Sequence, residues 1–190
     1  MSAEKPLPIG VEIIPAAQAQ EPVLAHLLQL YAYDFSEFLD LTIGPDGRFD
    51  YPWLSLYWQE ETRFPFLVKV DGHLAGFVLI TKGSLINGDP EIWDVSEFFI
   101  MRGYRRRGIG AALAHEIWRR FPGAWEVRVL ERNATALPFW EATVSAFAGS
   151  AFETSTGEQG SKRRRVFSFM SPPPDSETAK DIEADEKRSE

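Results

Sequence analysis

The chain has 190 residues, 44% of them hydrophobic and 13% aromatic, enough to bury a sizeable core in a single domain. It contains no cysteine, which excludes disulfides, thiolate metal sites and a cysteine nucleophile. The net charge of −8 argues against general nucleic-acid binding, the first ten residues lack the basic-then-apolar order of a secretory signal, and no apolar run approaches the roughly 18 residues a membrane span needs, so neither nucleic acid nor membrane is expected as a partner and the expected compartment is the cytoplasm.

Residues 1–10 read as a loose arm. Val11 to Ile14 alternates as a first strand ended by Pro15. From Ala19 to about Phe38, Val23, Leu24, Leu27, Leu28, Leu30, Tyr31 and Phe35 recur at helical spacing, with a break expected near Tyr33. Thr42 to Gly47 is turn chemistry, and Trp53 to Glu61 a short helix. Pro65 opens a strand over Phe66–Val70, Asp71-Gly72 makes a two-residue hairpin turn, and Leu74–Thr81 is the partner strand. Residues 82–90 form a longer connection. Trp93–Met101 is the next strand, with an apolar end that predicts a central place in a sheet. An amphipathic helix runs from Ile109 to about Phe121 and ends at Pro122-Gly123. Trp125–Leu130 is a strand, and a helix capped by Asn133 or Thr135 runs to about Val144. Phe152–Thr154 and Arg165–Met170 pair across a polar loop, Ser155–Lys162. From residue 171 the chain carries seven acids and three bases, about half of the net charge, and reads as a disordered acidic tail.

Chemistry concentrates between Val95 and Leu113. An apolar strand end runs into Arg102, Arg105, Arg106 and Arg107, turns on Gly108 and Gly110, and enters a helix. Such a turn exposes backbone N–H groups, and a helix N-terminus favours negative charge, so the stretch predicts a site for a phosphorylated ligand. A dinucleotide fingerprint would need a third small residue where Leu113 stands, and a P-loop would need Lys-Ser/Thr after its glycines. His26, His73 and His115 have no metal-ligand spacing, and no metal is expected. Arg163-Arg164-Arg165 reads as a solvated strand end.

Arg105-Arg106-Arg107-Gly108-Ile109-Gly110 resembles the Gln/Arg-x-x-Gly-x-Gly/Ala loop of the GNAT superfamily of N-acetyltransferases. The apolar strand before it, the amphipathic helix after it, and Asn133-x-x-Ala136-x-x-Phe139 match as well. The Glu-Phe-Phe-Ile and Arg-x-Tyr-Arg-Arg-Arg-Gly run is similar to a group of bacterial acetyltransferases of unassigned substrate. The resemblance implies an α/β fold over residues 8–170: a mixed central sheet, mostly antiparallel, with a splayed parallel pair at the cofactor site and helices on both faces. It implies acetyl-CoA as cosubstrate, bound along Phe99, Ile100 and Met101, by the loop Arg105, Arg106, Arg107, Gly108, Ile109, Gly110 and Ala111, and by Asn133 and Phe139.

The same resemblance implies acetyl transfer to an amine by direct attack in a ternary complex. The amine belongs to a small molecule or a protein, and the enzyme is a monomer or homodimer. The base is expected on the strand before the loop. Glu97 is the first candidate and Asp94 the second, with Ser96 beside them. Strand alternation places Asp94 and Ser96 on one face and Glu97 on the other. Where many family members carry a tyrosine acid, Trp140 stands, whose indole N–H donates but is not an acid. Tyr31, Tyr33, Tyr104 or water remain open for that role. So does a different class of function, an acyl-CoA-binding module without catalysis.

Overall fold

The computed structural model of the chain describes residues 7–159 and 162–173. Among these residues, seven strands form one sheet: β1 (Val11–Pro15), β2 (Arg63–Val70), β3 (His73–Lys82), β4 (Trp93–Ile100), β5 (Gly123–Leu130), β6 (Phe152–Gln159) and β7 (Lys162–Ser171), in the spatial order β1-β2-β3-β4-β5-β7-β6. All neighbours are antiparallel except β4 and β5. Three α-helices accompany the sheet among the described residues: α1 (Glu21–Phe35), α2 (Ile109–Arg120) and α3 (Ala136–Ala148). The α/β mixed sheet is the architecture expected from the sequence.

The pleat explains the layers. Alternate side chains of one strand feed opposite faces. Leu67, Phe77, Leu79 and Phe99 meet Leu24, Leu27 and Leu28 of α1 with Leu54 and Tyr57. Val68, Val78, Val127, Val129, Phe167 and Phe169 meet Leu113, Ile117 and Trp118 of α2 and Trp140 and Val144 of α3. The expected helices on both faces are therefore α1 on one side and α2 with α3 on the other. α1 begins two residues later than its periodicity suggests, because Gln18–Gln20 is a 3-10 turn, and it runs unbroken through Tyr33 but ends at Phe35, short of the expected Phe38. The short helix expected over residues 53–61 is a 3-10 turn, Leu54–Trp58.

Several boundaries differ from expectation. β2 starts at Arg63, before Pro65, which is tolerated because β1 has ended by then: its last pair is Pro15–Phe66. The hairpin at the end of the chain is much longer, pairing Gln159 with Lys162, so most of the expected polar loop is strand. Its exposed edge gives Ser, Thr and Glu no apolar alternation to announce it. Ser171, expected to begin the tail, closes β7, buried, with its hydroxyl donating to the Trp118 carbonyl at 2.7 Å. The tail expected beyond it falls on residues 174–190, outside the described residues.

Candidate active site

β4 and β5 run parallel but pair only at Trp93–Trp125 and Asp94–Glu126. Beyond that they diverge, and a cavity of about 1100 Å³ occupies the opening. It reaches both faces of the sheet. Phe98, Asn133, Ala136 and Trp140 line it from the α2 and α3 side, and Tyr31, Tyr51, Tyr57, Glu97, Arg128 and Arg164 from the α1 side.

Glu97 stands in this opening. Its carboxylate accepts hydrogen bonds from Tyr31 Oη and, at 3.2 Å, from Tyr51 Oη. Burial pushes its pKa above the ordinary carboxylate range, against the opposing pull of the two tyrosine hydrogen bonds and the charges of Arg128 and Arg164. The two phenols are held protonated in turn: burial and the charge of Glu97 raise both. Burial pushes Tyr57, nearby, up to about 12.

Asp94 is placed differently. It is fully buried and takes a two-pronged ion pair from Arg128, Nε to Oδ2 at 2.5 Å and Nη2 to Oδ1 at 2.6 Å. Ser96 Oγ donates to Asp94 at 3.1 Å and lies 2.9 Å from Thr81 Oγ1. The expected separation of Ser96 from Glu97 onto opposite faces does not occur. The register between β3 and β4 shifts at Leu79–Ile80, which pair with Glu97 and Val95, so Ser96 is an extra residue in β4. Both side chains then line the one cavity.

The loop after β4 has the form expected of an anion site. A 3-10 turn, Arg102–Tyr104, leads into residues 105–108, and α2 begins at Ile109. Arg106 (φ 62°) and Gly108 (φ 76°) are both left-handed. For Arg106 that costs on the order of 1 kcal/mol. Left-handed residues in a turn let successive N–H groups converge, and the first N–H groups of α2 have no intrahelical acceptor. The helix adds the positive end of its dipole. A Cβ on Gly110 would stand 3.1 Å from the Phe139 ring, so this glycine is what lets α2 and α3 meet there.

The other candidates separate. Arg105 turns back onto the fold: Nε donates to the Ile100 carbonyl at 2.6 Å, Nη2 pairs with Asp34 at 2.5 Å, and the guanidinium lies over Phe99. Arg102 holds the other Asp34 oxygen at 2.7 Å, so α1 is tied to the loop. Partial burial raises the pKa of Asp34, but the hydrogen bonds and charges of Arg105 and Arg102 outweigh it and hold the group below its ordinary value. Arg106 is exposed, and Arg107 lies over Tyr104. Phe99 and Ile100 point into the two cores and Met101 packs beside the α1 core, so their part in a cofactor site would run through backbone. Ala111 sits in the first turn of α2. Asn133 does two things: Oδ1 accepts from Ala136 N at 3.0 Å, opening α3, and the residue lines the cavity. His115 lies not on an open helix surface but between α2 and α3, its Nε2 2.9 Å from the Thr143 carbonyl.

Sequence reasoning missed Tyr51, Arg128 and Arg164. Tyr51 comes from a loop with no periodicity to place it. Arg128 alternates on β5 as if solvent-facing, but it is buried in its ion pair with Asp94 on β4. Arg164 was legible in principle: in a run of three arginines on a strand, the middle one faces opposite to its neighbours.

The acetyltransferase (GNAT) family model matches residues 27–144. No curated protein matches the chain in sequence. Among solved structures, the chain is similar to an acetyltransferase from Thermus thermophilus, with TM-score 0.61 and 16% identity over 85% of this chain and 97% of that one. It is similar to the ribosomal-protein-S18-alanine N-acetyltransferase from Escherichia coli, with TM-score 0.58 and 14% identity over 87% and 97%. Spermidine N-acetyltransferase from Vibrio cholerae, in complex with CoA and spermine, gives 0.58 and 11% over 85% and 96%. At these identities the likeness is one of fold.

Proposed function

The chain belongs to the GNAT acetyltransferase family, and on that premise we propose that the opening between β4 and β5 is where an acetyl group passes from acetyl-CoA directly to an amine, with Glu97 as general base. The observation that carries this reading is Glu97 itself, a carboxylate held by two tyrosines inside the cavity, with its pKa raised by burial. A base poised above the ordinary carboxylate range is better matched to an amine's proton near neutrality.

Acetyl-CoA supplies the acetyl group as a thioester. The residues suit it: the left-handed turn at 105–110 and the N-terminus of α2 for the pyrophosphate, and Asn133, Phe98, Ala136 and Trp140 along the opening for the arm. Glu97 takes the proton of the incoming ammonium. The freed lone pair forms the C–N bond as the C–S bond breaks, and the thiolate receives a proton. Asp94 serves as a positioning residue, fixing Arg128 on the cavity floor. Trp140 is buried against Phe98 and cannot give up its indole proton. Tyr31 is bonded to Glu97, Tyr33 is exposed, and Tyr104 lies under Arg107 on the loop and does not line the cavity, so in this reading water supplies the thiolate's proton.

The test is acetyl-CoA binding by calorimetry, followed by CoA release with a panel of amines, on wild type and Glu97→Gln. The expected result is equal acetyl-CoA affinity and a kcat lower by about 10²- to 10⁴-fold in the variant. Equal kcat would remove Glu97 from the role. Tight binding with no turnover on any amine would make the chain an acyl-CoA-binding module.

A further inference from the structure

The α1-side floor of the cavity is built from β4, β5 and β7, and its charges are unevenly matched. Asp94 and Arg128 neutralise one another. Glu126, also buried, accepts a hydrogen bond from Ser84 at 2.8 Å. Glu97 is held by the two tyrosines. Arg164 remains. It pairs across to Leu130 on β5 and Gly157 on β6, and register puts it on the same face as Arg128, whose cross-strand partner is Val166. Its neighbours Arg163 and Arg165 are exposed, whereas Arg164 lines the cavity. Its Nε is buried with no hydrogen-bond partner among the described residues. Burial and the adjacent charge of Arg128 disfavour its cation, against the opposing pull of Glu97, Tyr31 and Asp94. The guanidinium nonetheless borders the cavity, and a planar two-oxygen anion is the ligand whose geometry matches it.

We propose that the acceptor is an amino carboxylate, a small molecule whose amine meets Glu97 while its carboxylate is held by Arg164. The inference rests on the reading of Glu97 as the base of acetyl transfer, and narrows it to a substrate class. The fixed positions of one carboxylate and one arginine on a common floor complement a zwitterion. A monoamine would place nothing on Arg164, and a polyamine would set a second cation against it. Tyr31, Tyr51 and Tyr57 wall the same space and accommodate the carbon skeleton between the two ends.

The experiment uses the full chain with acetyl-CoA and a panel of α- and ω-amino acids, each paired with its carboxamide and its decarboxylated amine. For the best acceptor, kcat/KM of the acid should exceed that of its amide and amine by about 10- to 100-fold. Arg164→Gln should abolish that preference by raising KM for the acid alone, leaving acetyl-CoA affinity unchanged. Equal use of acid and amide by wild type would overturn the proposal, as would a loss in acetyl-CoA affinity in the variant, which would assign Arg164 to the cofactor. If Arg164→Gln does not fold, the wild-type acid-to-amide ratio decides. If no amine turns over, the catalytic reading fails separately, and N-acetyl amino acids titrated into CoA-saturated protein decide. Binding that exceeds that of the matching N-acetyl amides keeps the carboxylate site, and no difference ends it.

Discussion

Glu97 and Tyr31 give the most direct handle on the chemistry. A base acts only when ionised, so kcat/KM should rise with pH through the pKa of Glu97, on a limb lying above the ordinary carboxylate range. The Tyr31 hydrogen bond favours the charged form and so works against that elevation. Tyr31→Phe removes it, and the limb should move to higher pH with the plateau rate less affected. A limb that stays put or moves down would show that Tyr31 does not tune the base. The same shift has a stability side. A carboxyl whose folded pKa exceeds its unfolded one favours the fold most when protonated, and that contribution fades as pH rises through the folded value. Glu97→Gln should therefore raise Tm at neutral pH, with the difference shrinking in acid. An unchanged gap across pH would mean that ionisation of Glu97 is not what costs the fold stability.

Two glycines separate structural from functional demands at the level of the elements. Gly76 on β3 faces β4 so closely that a Cβ would stand 2.0 Å from the Phe99 carbonyl oxygen, with the Ile100 backbone at 3.1 Å. Neither contact is a flexible side chain that can swing aside. Gly76→Ala should lower stability by roughly 2–3 kcal/mol, a Tm fall of about 5–10 °C for a domain of this size, readable by thermal denaturation. A Tm within two degrees or so of wild type would show that the strands separate freely. Gly108 is the opposite case: nothing lies within 4 Å of its would-be Cβ, but its φ of 76° favours glycine. Gly108→Asp should keep the fold, at a cost of about 1 kcal/mol, and weaken CoA binding at least tenfold by setting a carboxylate where phosphate is expected. Undiminished affinity in calorimetry would move the phosphate site elsewhere. Glycine spacing made this loop legible from sequence, because Gly108 is needed for its left-handed backbone and Gly110 for the close approach of Phe139. The bulge at Ser96 was not legible: it arises from pairing with β3, and no local signal in Trp93–Ile100 distinguishes an extra residue from ordinary alternation.

The whole molecule sets how the two reactants meet. Most of its order was readable, since seven strands and the β4-α2-β5 crossover follow from apolar periodicity and turn residues. The cavity was only half readable. Its Glu97 and Asn133 lie in motif-bearing stretches, while Tyr51, Arg128 and Arg164 converge from three separate segments through sheet order and twist, which sequence spacing does not encode. That convergence leads to a kinetic expectation. The opening passes from the α2 and α3 side of the sheet to the α1 side, so cofactor and acceptor can approach from opposite faces and be bound together. The chain has no cysteine to carry the acetyl group. Ser96 is the hydroxyl nearest Glu97 along β4, but it is engaged with Asp94 and Thr81, and none of the three histidines lines the cavity to activate it. Transfer should therefore be sequential. Initial rates plotted reciprocally against acetyl-CoA at several fixed amine concentrations should intersect, and protein incubated with acetyl-CoA alone should show no acetyl adduct in the mass of the intact chain. Parallel lines together with a stoichiometric adduct would instead place a covalent intermediate on the path, and Ser96→Ala, which should leave kcat within a few-fold under direct attack, would then abolish turnover.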